Sequence, residues 1–134
     1  HAAAERDGIE IDISSFKTPH TNNHLVIEGA GGLLVPLNDK DTILNLIESL
    51  NCEVILVSRH YLGSINHTLM SIEALQQRNI TIKGILFNGK ENKDTESIIT
   101  KMSGVNIIGR IDELDHLNKS VINSVAQNLK NKLI

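Results

Sequence analysis

The chain has 134 residues, 40% of them hydrophobic and 22% charged, and a formal net charge of -3 from 13 Lys and Arg against 16 Asp and Glu. This is the composition of an ordinary globular domain. Without a basic excess to neutralise a phosphate backbone, and with only Phe16, Tyr61 and Phe87 as aromatics, nucleic acid is not the expected partner. One cysteine, Cys52, excludes a disulfide scaffold and fits a reducing, cytoplasmic setting, and no apolar run reaches the ~18 residues of a membrane span.

Residues 1–23 are mostly polar, with a short alternation at Ile9-Glu10-Ile11-Asp12-Ile13 and a loop signature at Thr18–Asn23. Leu25-Val26-Ile27 then reads as a buried strand that ends at Glu28 and a glycine cluster. An apolar stripe at Ile43, Leu44, Leu46, Ile47 and Leu50 predicts a helix that Asp41 can cap. Glu53–Ser58 predicts a second strand, and Ile65, Leu69, Ile72 and Leu75 a second helix. Ile82–Gly89 is a third strand, 91–103 a weaker helix, Val105–Gly109 a fourth strand, and Leu117, Val121, Val125 and Leu129 mark a final helix. Alternation of this kind predicts an α/β fold, a parallel sheet with helices on both faces, in one domain over 1–134.

Ligands in such folds sit at the carboxyl ends of the strands. There the sequence places Glu28-Gly29-Ala30-Gly31-Gly32, Ser58-Arg59-His60, Asn88-Gly89 and Gly109-Arg110. A carboxylate at a strand end can hold Mg²⁺, and glycine amides can approach phosphate oxygens. Ser64-Ile65-Asn66 opens a helix after Gly63, where backbone N–H groups can bind an anion and where Ser64 can equally be a plain cap. Asn88 offers a donor and an acceptor to a base edge, or simply ends a strand. Gly84–Glu91 matches the spacing of a phosphate loop, but its interior reads as a strand and Glu91 replaces the required hydroxyl. No histidine spacing matches a zinc pattern.

The string Glu28–Leu37 resembles the central motif of the dethiobiotin synthetases. The resemblance extends to Leu62-Gly63-Ser64-Ile65-Asn66-His67, similar to that family's substrate loop, to Leu86-Phe87-Asn88-Gly89, similar to its adenine-binding strand end, and to His1–Arg6. Gly109-Arg110-Ile111 is similar to the start of its last nucleotide-contacting loop, with Asp112 where the family has proline.

The resemblance implies a P-loop NTPase-like fold whose first strands, phosphate loop and catalytic lysines precede residue 1. The chain would then be the C-terminal portion of a longer enzyme and would not hydrolyse ATP alone. The implied reaction is ATP- and Mg²⁺-dependent carboxylation and ring closure of 7,8-diaminopelargonate with CO2, by a cytoplasmic homodimer. The implied nucleotide-binding residues are Glu28, Gly29, Ala30, Gly31, Asn88, Gly89, Asp112, Glu113 and Leu114, with Glu28 also the metal ligand. The implied substrate-binding residues are Ser64, Ile65 and Asn66. Two alternatives remain open at this level: a non-catalytic module without a phosphate loop, and the synthetase domain of a corrinoid-synthesis amidoligase.

Overall fold

A computed structural model describes residues 1–133. The chain divides into two compact units, residues 1–52 and 53–134.

The first unit holds helix α1 (Ala2–Arg6), a 3-10 turn (Ile13–Ser15) that packs against helix α2, and α2 itself (Ile43–Leu50). The expected strand at Leu25-Val26-Ile27 does not form. The segment has no ladder partner among the described residues, and Val26 is 89% exposed. β-propensity supplies side chains suited to a pleated surface, but a strand exists only through the neighbour that bonds it. The cap of α2 is also not Asp41. Thr42 is the N-cap, and Asn45 Oδ1 accepts from both the Thr42 N–H (2.9 Å) and its hydroxyl (2.7 Å).

The second unit is a three-stranded parallel sheet in the order β1 (Val54–Arg59), β2 (Ile82–Asn88), β3 (Ile107–Ile111). Helices α3 (Ser64–Gln77), α4 (Lys93–Ser103) and α5 (Lys119–Leu133) follow the strands in turn. The β-branched runs form strands where expected, within one or two residues at each end.

Alternation along β2 divides the core between two faces. Ile85 and Phe87 point to one face, where Ile72 of α3, Ile99 of α4 and Val105 complete a buried cluster. Leu86 points to the other, where Leu129 of α5 lies against the backbone at Gly109. Helices therefore cover both faces of β2 and β3, as expected of the fold class. Burying each large side chain of this core stabilises the unit by about 2 kcal/mol. Ser58 and Thr68 add a polar tie: their buried hydroxyls share a 2.8 Å hydrogen bond between β1 and α3.

Candidate functional site: the carboxyl ends of the strands

The ladder register sets Arg59 beside Asn88, and Asn88 beside Ile111. The three parallel strands thus end level, and the residues that follow them share one edge. This is where a sheet of this type presents polar groups, because each strand's last C=O and the following loop are free of the ladder.

Asn88 and Gly89 form the turn after β2. Gly89 has φ +99°, a left-handed conformation that favours glycine. Its N–H donates to the Ile111 carbonyl at 2.8 Å, and its own carbonyl accepts from Arg110 Nη1 at 3.3 Å. The Asn88 side chain is exposed and bonds nothing among the described residues. Asp112, Glu113 and Leu114 follow β3 beside this turn, and all three are exposed. Glu113 Oε1 would lie 3.9 Å from a Cβ at Gly89 and sits 3.7 Å from Arg59 Nη2. The nucleotide residues expected in this unit, Asn88, Gly89 and Asp112–Leu114, are therefore brought together.

Under this edge lies a charged cluster that the sequence reading did not assemble. The Glu96 carboxylate is buried in the first turn of α4, its side chain 8% exposed. His60 Nε2–H donates to its Oε1 at 2.9 Å, and the Asn92 N–H to the same oxygen at 3.0 Å. Arg110 Nη2 pairs with its Oε2. His60 stacks on the Phe87 ring (centroids 5.1 Å apart), and the Arg110 guanidinium lies 5.9 Å from the same ring. Burial favours protonation of Glu96, but the hydrogen bonds from Arg110, Asn92 and His60 outweigh it and hold the carboxyl below its usual range. The hydrogen bond to Glu96 likewise raises the Arg110 pKa. Arg110 and His60 were visible as strand-end residues. Glu96 was legible only as a carboxylate three positions before the buried Ile99, on the inward stripe of a helix.

The loop before α3 is built around Tyr61 and His67, whose hydroxyl and Nδ1 lie 2.8 Å apart. The Ser64 amide, expected to be free for an anion, donates to the Tyr61 carbonyl at 3.0 Å. Ser64 is not the cap either. Gly63 is the N-cap, and Ser64 is the first helical residue, 5% exposed. The Ile65 and Asn66 amides carry no such bond among the described residues, as first-turn positions of a helix do not. The Asn66 side chain is exposed and donates to Met70 Sδ at 3.3 Å.

Glu28, Gly29, Ala30 and Gly31 lie in the first unit, all exposed. The loop they open is anchored on α2: the Ile43 and Leu44 amides donate to the Val35 and Leu33 carbonyls at 3.0 and 2.8 Å. Gly31 has φ +81°, and a Cβ there would meet Val35 Cγ2 at 2.9 Å, so the turn admits no larger residue without strain. Among the described residues no group of three or more His, Cys, Asp or Glu could hold a metal. A lone exposed Glu28 carboxylate still fits Mg²⁺, a hard cation that takes one or two protein carboxylates and fills its shell with water and phosphate oxygens. Gly84–Asn88 lies in β2, so the accidental phosphate-loop spacing is a strand, as expected. No helix among the described residues is long and apolar enough to cross a membrane.

The sequence is similar to known proteins along nearly its whole length. A profile of the AAA domain family matches residues 1–121. A protein of Christiangramia forsetii named ATP-dependent dethiobiotin synthetase BioD is 52% identical over 133 residues, 99% of this chain and 64% of the relative. Proteins of the same name from Cytophaga hutchinsonii and Brucella ovis are 48% and 44% identical, over 96% of this chain and 63% and 61% of their own lengths. The chain thus spans less than two thirds of the curated relatives it matches.

Proposed function

The chain belongs to the AAA domain family, and from that premise we propose that it is part of an ATP-dependent dethiobiotin synthetase, the portion that carries the adenine and substrate-carboxylate contacts. The observation that carries this reading is the 52% identity over 99% of the chain to a relative of that name. It is joined by the residues that the fold sets at one sheet edge. In this reading the phosphate-binding loop is contributed by residues outside the 134.

The substrates are 7,8-diaminopelargonate, CO2 and ATP. One amine takes up CO2 as a carbamate with loss of a proton, the carbamate oxygen attacks the γ-phosphorus and displaces ADP to give a carbamic-phosphoric anhydride, and the second amine attacks its carbonyl carbon, closing the ring and expelling phosphate. This chemistry needs little covalent help from the protein. It is driven by holding three reactants in register and neutralising charge. Asn88 presents a paired donor and acceptor to the adenine edge, with the Gly89 backbone beside it and Asp112, Glu113 and Leu114 lining the neighbouring loop. The Ser64 hydroxyl and the Ile65 and Asn66 amides hold the substrate carboxylate at the α3 N-terminus, where the helix dipole favours an anion. Gly29, Ala30 and Gly31 offer backbone N–H groups to phosphate oxygens. Glu28 would hold Mg²⁺, which when bound supplies charge neutralisation on the phosphates. The protein is a cytoplasmic homodimer in this reading.

The test is to supply the intact protein carrying this sequence with ATP, Mg²⁺, bicarbonate and 7,8-diaminopelargonate. Phosphate release that requires the diamine, with dethiobiotin identified by mass, is expected. Phosphate release indifferent to the diamine, or none, overturns the reading.

A further inference from the structure

We propose that Glu96 is a positioning residue for the base end of the nucleotide, setting the Asn88–Gly89 turn through Arg110. This rests on the nucleotide reading above. Glu96 reaches the trailing ends of β1 and β3 at once, through His60 and Arg110, and the start of α4 through the Asn92 amide. Its other link runs onward. Arg110 uses one guanidinium nitrogen on Glu96 and the other on the Gly89 carbonyl. A guanidinium is a planar fork, so fixing one nitrogen fixes the direction of the other. With the Gly89 N–H held by Ile111, the peptide groups on both sides of Gly89 are clamped by β3.

The partition within the turn points to a role in recognition. Gly89 is tied at both its N–H and its carbonyl, while the Asn88 side-chain amide beside it is exposed and unpaired among the described residues. A held backbone with an open side chain is the arrangement of a preorganised reader. Stability alone does not call for this cluster, because apolar side chains of similar volume serve as well as a buried ion pair. What they cannot do is aim a donor at a particular carbonyl. Phe87, fully buried, stacks under the His60 ring and lies 5.9 Å from the Arg110 guanidinium carbon, so one aromatic face backs both partners of Glu96.

The experiment compares the intact protein with its Glu96→Gln and Arg110→Lys variants. Arg110→Lys keeps a charge for Glu96 and loses the second nitrogen that reaches Gly89, so it isolates positioning where Glu96→Gln risks misfolding. Diamine-dependent phosphate release is measured against ATP and GTP, with tripolyphosphate as a base-free competitor. Both variants are expected to raise the KM for ATP about tenfold with kcat falling less than about threefold. The preference for ATP over GTP should shrink, and the tripolyphosphate inhibition constant should stay unchanged. A KM for ATP that does not move in Arg110→Lys overturns the proposal, as does an inhibition constant that rises in parallel with it. Loss of kcat with no change in base preference overturns it too. An unmodified protein that releases no diamine-dependent phosphate overturns the parent reading, and this inference falls with it.

Discussion

His60 and Glu96, 36 residues apart, meet at 2.9 Å between Nε2 and Oε1 beneath the level ends of three strands. The contact places a buried carboxylate among His60, Arg110 and the Asn92 amide. Asp112 Oδ1 adds an ion pair to Arg110 Nε at 3.9 Å, and Glu91 adds a longer-range attraction. Because the folded protein lowers the Glu96 pKa below its unfolded value of 4.5, ionised Glu96 contributes stability that is fully present above that pH. That contribution is lost as the pH falls through the folded value. Glu96→Gln should therefore lower stability by about 3 kcal/mol at pH 7, since Arg110 is left half-paired in a buried site. It should also flatten the acid limb of stability against pH. Urea unfolding followed by circular dichroism between pH 7 and pH 3 checks this, and parallel curves for the two proteins would refute it. Asp12, exposed and held below its usual range by hydrogen bonds from the Ser14 hydroxyl and amide, leaves a residual acid dependence in both.

Ser58 and Thr68 are each other's partners in a buried setting. Ser58→Ala should cost about 1 kcal/mol, because it strands the Thr68 hydroxyl. Adding Thr68→Val should cost less than the sum of the two single changes, with a coupling of at least about 0.5 kcal/mol. Strict additivity in a double-mutant cycle would show that the hydroxyls do not depend on one another.

Glu28 offers one exposed hard oxygen ligand at the head of a glycine loop. In the intact protein, Glu28→Gln should raise the Mg²⁺ concentration for half-maximal turnover by about tenfold. Chelation with EDTA should abolish activity, and added Mg²⁺ should restore it. A Mg²⁺ titration that superimposes on that of the unmodified protein removes Glu28 from the metal site.

Asn66 stands at the start of α3 with its side chain exposed and its amide free of a main-chain acceptor among the described residues. Asn66→Ala should raise the KM for 7,8-diaminopelargonate by about fivefold and leave that for ATP within about twofold. Equal changes in both constants would detach this helix start from the substrate carboxylate.

Much of the second unit was legible in the sequence. Val54–Arg59, Ile82–Asn88 and Ile107–Ile111 are β-branched runs bounded by polar residues, and the stripes through Ile72 and Ile99 face the sheet. Side-chain period and shape are local properties, so they can be read without knowing what lies opposite. Leu25–Ile27 has the same local character and forms no strand, because hydrogen bonding to a neighbour is not local. The same limit explains Ser64. Its amide looked available at a helix start, but the turn through Tyr61 folds a carbonyl back onto it.

The sequence by itself determined the α/β class, the order of helices and strands in the second unit, and the polar residues that end each of its strands, since apolar periodicity and strand-breaking residues carry that information along the chain. Only the tertiary structure decided that Arg59, Asn88 and Ile111 stand abreast, and that His60, Glu96 and Arg110 form one cluster around Phe87. The members of that cluster come from the ends of two strands and from a helix between them. Parallel pairing and helix packing, and no spacing along the chain, bring a carboxylate to a guanidinium and an imidazole and a clamped turn to its reading edge.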